Sequence, residues 1–159
     1  MTPPDNADLF RLVYRSRSAI AGGAEAVQQT IDAVVAASQR RNAEAGVTGT
    51  LMFTGLFFVQ ALEGSAAAVE AIFDRICCDL RHTGIEVVEC GPVLEPAFGG
   101  GAMSHLVPDA EAGALLDRLD SEAEYVEAAA AAMKLMLALL QATASVRTKP
   151  EPIPSTRAS

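Results

Sequence analysis

The sequence predicts a two-layer α+β sandwich in which helices pack on one face of a mixed sheet. Short segments with apolar residues at alternate positions read as strands, and two longer segments with apolar residues at helical spacing read as helices. Cap and turn residues separate them, in the order strand, helix, strand, strand, helix, strand, strand, then helix.

Taken in order, Leu9 to Ser16 forms the first strand, with Phe10, Leu12 and Tyr14 on one face. A tyrosine is ordinary there, because its ring packs like a hydrophobe and its hydroxyl finds a partner. A helix from about Ala24 to Ala45 follows, with an apolar stripe of Val27, Ile31 and Val34/Val35. Gly46 is a natural C-terminal stop. Thr50 to Phe53 and Phe57 to Glu63 make a hairpin around Thr54-Gly55. Ser65 caps a second helix, whose stripe is Val69, Ile72, Phe73 and Ile76. The next strand runs from Ile85 to about Gly91, limited by Pro92 and Pro96, and a last one from about Ala102 to Val107. A short helix over Asp109 to Leu119 and a longer one over Ser121 to Ala144 complete the order. The later half of that helix, Ala128 to Leu140, is apolar on nearly every side. It is too short for a bilayer and carries Lys134, so it must be covered by its own sheet or by a second chain. Covering of the open sheet face, together with a homo-oligomer contact, is the expectation. From Val146 on, the composition is that of a disordered end.

Length and composition restrict the class. The 159 residues suit one domain with a tail, and the 50% hydrophobic content excludes disorder for most of the chain. A formal charge of -8 argues against nucleic acid, since Arg15, Arg17, Arg40 and Arg41 are scattered and form no basic stripe. Met1 to Asp8 is mostly polar with two prolines, which is no secretory signal, so a cytoplasmic protein is expected, with no membrane partner. The three cysteines make no disulfide framework. Cys77 and Cys78 are adjacent in a helix, where side chains diverge by about 100 degrees, and Cys90 lies on a strand. Buried free thiols are expected. His82 and His105 are too isolated for a metal site, and no metal is expected.

The candidate site rests on polar residues where hydrophobes would be cheaper. In Phe57-Phe58-Val59-Gln60-Ala61-Leu62-Glu63-Gly64, alternation puts Gln60 on one face with Phe58 and Leu62. A buried amide without partners costs about 1–3 kcal/mol. Gln60 is therefore either a structural amide bonded to backbone or a ligand-facing amide, and its reversible donor and acceptor suit a planar heteroaromatic ligand. Continued at helical spacing, the stripe of the first helix reaches Ser38 and Asn42. Ser38 alone is incidental and Asn42 alone could cap the helix end, but Tyr14, Asn42 and Gln60 directed at one interior space argue for a ligand.

Leu12-Val13-Tyr14-Arg15-Ser16, Asn42-Ala43-Glu44-Ala45-Gly46-Val47-Thr48-Gly49-Thr50-Leu51 and Phe58-Val59-Gln60-Ala61-Leu62-Glu63-Gly64, followed by Arg81-His82-Thr83 and a stretch near Phe98 to Met103, resemble the BLUF family of blue-light sensors using flavin. The resemblance runs from about Leu9 to Val107. It implies a ferredoxin-like βαββαββ sandwich with a flavin between the two helices. It also implies three parts: a photosensor over 9–107, a helical extension over 108–145 and a disordered tail over 146–159. FAD would bind noncovalently, with FMN not distinguished from it. Asn42 and Gln60 would hold the isoalloxazine edge, Arg81 and His82 would lie near the ribityl and phosphate groups, and Arg41 and Ser38 would lie close by. Tyr14 would be the electron and proton donor, since it is the only oxidisable side chain on its face and the chain has no Trp. Light would leave Gln60 rotated or tautomerised, and Met103 would read the change, although Met103 is also a natural gap-filling core residue.

One stretch departs from the family pattern. Gly101 stands where relatives usually carry a Trp, inside Phe98-Gly99-Gly100-Gly101-Ala102-Met103, which puts that route of signal transmission in doubt. The implied function is a blue-light photoreceptor without catalytic output, passing its signal to an unidentified partner or through a change of oligomer. Two alternatives stand beside it: a degenerate relative serving as a light-insensitive interaction module, and a small flavin oxidoreductase. The second lacks a dinucleotide motif, because Gly99-Gly100-Gly101 opens no helix in a βαβ unit.

Overall fold

A computed structural model describes residues 9–98 and 101–106, together with Lys134 and Ala138. The expected extension over 108–145 and tail over 146–159 lie outside the described residues, apart from Lys134 and Ala138, which are both helical. The elements are β1 (Leu9–Ser18), α1 (Ala24–Ala45), β2 (Thr48–Phe53), β3 (Phe57–Ser65), α2 (Ala66–Cys77), β4 (His82–Pro92) and β5 (Ser104–Leu106).

The sheet order is β4-β1-β3-β2-β5. β1 pairs antiparallel with both β3 and β4, and β2 pairs antiparallel with β3. Among the described strands only β5 is parallel to its neighbour, β2. The first four strands with α1 and α2 make a ferredoxin-like sandwich, and β5 extends it to a mixed sheet.

Local chemistry sets the boundaries. Gly46 ends α1 in the left-handed conformation (φ 69°), and the N–H of Val47 donates to the Asn42 carbonyl at 2.9 Å. In the hairpin loop the Thr54 hydroxyl accepts from the N–H groups of Leu56 and Phe57 at 3.3 and 3.0 Å. Ser65 caps α2 as its position suggests, its hydroxyl accepting from the Ala68 N–H at 3.2 Å.

The two helices cover different halves of one sheet face. Val69 of α2 packs with Leu12, Tyr14, Val47 and Leu62, joined by Ile72, Phe73 and Ile76. Ile31 of α1 packs with Leu51, Phe58 and Met103, joined by Val27, Val34 and Val35. Burying each large aliphatic side chain is worth about 1.5–3 kcal/mol, so these clusters clamp both helices to the sheet. The site lies where the clusters meet.

The structure corrects four expectations. β1 continues two residues past Ser16, because Arg17 and Ser18 pair with Thr83 and His82. For the same reason β4 opens at His82 and not at Ile85, so Arg81 and His82, which the resemblance placed at the end of the second helix, stand at the start of β4, while α2 stops at Cys77. Backbone pairing needs no apolar side chain, and β4 is an edge strand whose first residues past His82 face water. β5 begins at Ser104 and not at Ala102, because the carbonyls of Ala102 and Met103 accept from the side chains of Asn42 and Gln39. Cys77, Cys78 and Cys90 are exposed, not buried. Two of them close the solvent end of α2 and the third is on the edge strand, positions where the small apolar thiol has no cluster to join.

Candidate functional site

A cavity of about 340 Å³ opens between α1 and α2 above β1 and β3. That volume lies at the low end of the range for small-molecule pockets, about 300–1,000 Å³. Of the residues singled out in the sequence, Tyr14, Ser38, Arg41, Asn42, Gln60, Arg81 and His82 line it, while Met103 stands behind Gln60, outside the lining. Three of its walls follow from periodicity. Ser38 and Asn42 continue the packing face of α1, Tyr14 and Gln60 are directly opposite one another on β1 and β3, and α2 supplies the far side.

Gln60 is 5% exposed and Tyr14 3% exposed, so neither has water to satisfy it. The Tyr14 hydroxyl donates to Gln60 Oε1 in a short contact between buried groups. Gln60 Nε2 faces the Met103 sulfur at 3.9 Å. Of the two readings of Gln60, the amide bonded to backbone gives way to one whose described partners are side chains. Burial pushes the Tyr14 phenol well above its usual range, with the charges of Asp79 and Cys77 adding to it. The phenol therefore stays protonated and is the donor of the pair.

Asn42 is 1% exposed. It does not cap α1 with its side chain. Its Nδ2 donates to the Ala102 carbonyl at 2.8 Å, which fixes the amide and turns its oxygen into the group left for an acceptor role. Gln39, one turn earlier, donates to the Met103 carbonyl at 3.2 Å. The two amides thus fasten the stretch that carries Met103 to α1.

His82 offers the cavity a ring and not a ring nitrogen. Its Nε2 lies 2.6 Å from the Ile76 carbonyl, which can only accept, and its Nδ1 lies 2.7 Å from the Ser16 hydroxyl. Ser16, 1% exposed, was not anticipated, and it positions the imidazole edge-on to Tyr14 and Phe58. Arg81 pairs with Asp79, whose carboxyl is held below its ordinary range by the Arg81 guanidinium.

Sequence reasoning placed the ligand between the helices but did not single out Ala68, Ala71, Arg75 and Asp79 as part of its wall. Ala68, Ala71, Ile72, Arg75, Ile76 and Asp79 line the cavity. From Ala68 to Ile76 their spacing of three and one is a helical stripe that shares Ile72 and Ile76 with the sheet-facing one and adds alanines where a ligand needs room, and Asp79 follows the end of α2. Arg75 joins Arg41 and Arg81 in giving the lining three guanidinium groups.

A family model described as sensors of blue-light using FAD matches residues 9–104. The chain belongs to the BLUF family. Over 95 residues, 60% of this chain, it is 37% identical to the blue light- and temperature-regulated antirepressor BluF of Escherichia coli, and spans 23% of that protein. Over 68 residues, 43% of this chain, it is 37% identical to the photoactivated adenylate cyclase subunit beta of Euglena longa, of which it spans 8%. It thus covers less than a quarter of the length of these two curated relatives. The solved dark-state structure of the BLUF protein BlrB is similar to 80% of this chain and 98% of its own, with 33% identity and a TM-score of 0.63. Blue-light sensing with FAD is the function by which that family is described. Among the described residues no helix is long and apolar enough to cross a membrane.

A titration follows from the buried phenol. A tyrosine whose folded-state value lies above its unfolded value of 10.0 leaves stability untouched below that pH. Above it the unfolded chain releases a proton that the folded chain keeps, so stability falls as pH rises, by about 1.4 kcal/mol per unit. Denaturant unfolding between pH 10 and 12 should show this extra slope in the wild type and its loss in Tyr14→Phe.

Proposed function

We propose that this BLUF domain holds FAD noncovalently in the cavity between α1 and α2 and signals by rearranging hydrogen bonds at Gln60. The supporting observation is the buried chain of contacts from the Tyr14 hydroxyl through the Gln60 amide to the Met103 sulfur. The donor set fits the group. Asn42, its amide fixed by Ala102, has an oxygen to accept from an imide N–H, and Gln60 can face a ring carbonyl or ring nitrogen. Ile72, Ile76, Leu51 and Phe58 give apolar surface for a planar ring, and Arg41, Arg75 and Arg81 suit phosphate oxygens. FMN shares the ring and one phosphate, so the same residues would serve it.

When bound, the flavin supplies blue absorption and, once excited, an acceptor for an electron and a proton from Tyr14. The rest is the work of the chain. Tyr14 is held neutral with its hydroxyl toward Gln60. Gln60 can reverse or tautomerise without changing its shape, which exchanges the donor and acceptor it presents to Tyr14, to the pocket and to Met103. His82 and Phe58 exclude water from this exchange. No bond of the protein backbone or of a side chain's carbon skeleton breaks, so the dark state returns thermally. The domain does no catalysis of its own, and its output passes to a partner or through a homo-oligomer.

Purified protein should be yellow and should show a small reversible red shift of its absorption under blue light. A colourless protein with no affinity for added FAD or FMN would sink this reading and favour a light-insensitive interaction module.

A further inference from the structure

We propose that Glu63 is a positioning residue that sets Met103 against Gln60, an inference that rests on the reading of Gln60 and Met103 just given. Glu63 is 1% exposed and lies on the sheet face opposite the cavity, three residues after Gln60 on β3. Its carboxylate accepts from Arg11 Nε and Nη2 at 3.1 and 3.0 Å, from the Ala97 N–H at 3.1 and 3.0 Å, and from the Phe98 N–H at 2.5 Å. Arg11 completes the clasp. Its Nη2 also donates to the Glu95 carbonyl at 3.2 Å, its Nη1 to Glu89 at 3.3 Å, and its guanidinium lies over the Phe98 ring at 5.4 Å. Phe98 is fully buried.

A buried ion pair is a poor way to gain stability, since desolvation offsets the attraction and an apolar pair of similar volume does as well or better. Its better-attested use is to fix a register, and here a register needs fixing. β5 has three residues and three paired positions on β2, too few to hold its own alignment. What aligns the stretch bearing Met103 is its anchors: Asn42 and Gln39 at Ala102 and Met103, and Glu63 at Ala97 and Phe98. Release of the Glu63 end frees Met103 to move relative to the Gln60 amide. Tyr14 and Gln60 remain as they were.

The test compares flavin-loaded wild type with Glu63→Gln, Met103→Leu and the double variant, reading flavin content, red shift and the rate of dark recovery. Glu63→Gln should keep its flavin and its red shift but change the recovery rate at least threefold. In the Met103→Leu background the same substitution should add nothing, since its effect acts through Met103. Arg11→Lys, which keeps the charge and loses the fork, should shift the rate in the same direction by less and serves if Glu63→Gln fails to fold. A wild type that cycles beside a Glu63 variant with the wild-type rate overturns this proposal alone, as does an undiminished effect in the Met103→Leu background. A wild type that does not cycle overturns this proposal together with the reading beneath it.

Discussion

Illuminated Gln60→Leu protein is expected to keep its flavin and to show none of the wild-type red shift. Leucine approximates the volume of glutamine, and its neighbours Phe58 and Leu62 on the same face are apolar, so the fold should accept it. It has neither donor nor acceptor to exchange. The Tyr14 hydroxyl, 3% exposed, would be left without its partner, costing about 1–3 kcal/mol of stability, a measurable loss short of unfolding. Flavin retention should survive, because Asn42, the arginines and the apolar walls are untouched. Tyr14→Phe should give the same optical result for the complementary reason: the ring and its packing on Phe73 remain, while the oxidisable hydroxyl is gone. The two variants together separate the roles. A difference spectrum of wild-type amplitude from either would remove that residue from the photochemistry, while loss of flavin from either would place it in binding instead.

Much of this arrangement was legible in the sequence because it is governed by short-range rules. Alternation on β1 and β3 put Tyr14 and Gln60 on the same face, and antiparallel pairing then set them opposite each other. Helical spacing carried the α1 stripe to Ser38 and Asn42. What escaped depends on contacts distant in the chain. The amide of Asn42 reaches Ala102, and the carboxylate of Glu63 reaches both Arg11 and Phe98, partners that no local pattern names. The start of β4 escaped because edge pairing is made by backbone, so His82 to Gly84 carry no apolar signal. The thiols were misplaced for a related reason: cysteine is buried on average, and its position at a helix end or on an edge strand overrides that average. The departure at Gly101 acquires a physical sense too. Its φ of 119° is one that an L-residue rarely adopts, and its carbonyl accepts from the Gly49 N–H at 3.4 Å. A Trp could not be restored there without moving the strand connection, and the side chain described beside the Gln60 amide on this stretch is Met103.

Gly49→Val should strip the protein of flavin although Gly49 lines no part of the cavity. The residue is in β2, and a Cβ built on it would stand 3.0 Å from Asn42 Nδ2, 3.0 Å from the Met103 methyl and 3.3 Å from the Ala61 carbonyl oxygen. It is the spacer between the Asn42 amide, proposed to hold the ligand edge, and the thioether beside Gln60. A single Cβ meets the ends of two side chains, which can give by a few tenths of an ångström, and one backbone oxygen at the less severe 3.3 Å. Gly49→Ala should therefore retain flavin and change only the dark recovery. Valine adds two methyl groups that cannot be absorbed this way. Asn42 would lose its bond to Ala102 and its alignment, and overpacking of this kind costs about 1–3 kcal/mol. Loss of that alignment should weaken flavin binding by at least tenfold, which corresponds to about 1.4 kcal/mol. The check is the ratio of flavin to protein absorbance after gel filtration, with thermal unfolding alongside to establish that the variant is folded. Gly91→Ala, at a glycine with nothing within 4 Å of the added Cβ, is the control and should behave as wild type. A folded Gly49→Val protein that elutes with a full complement of flavin would show that Asn42 is not what holds the ligand.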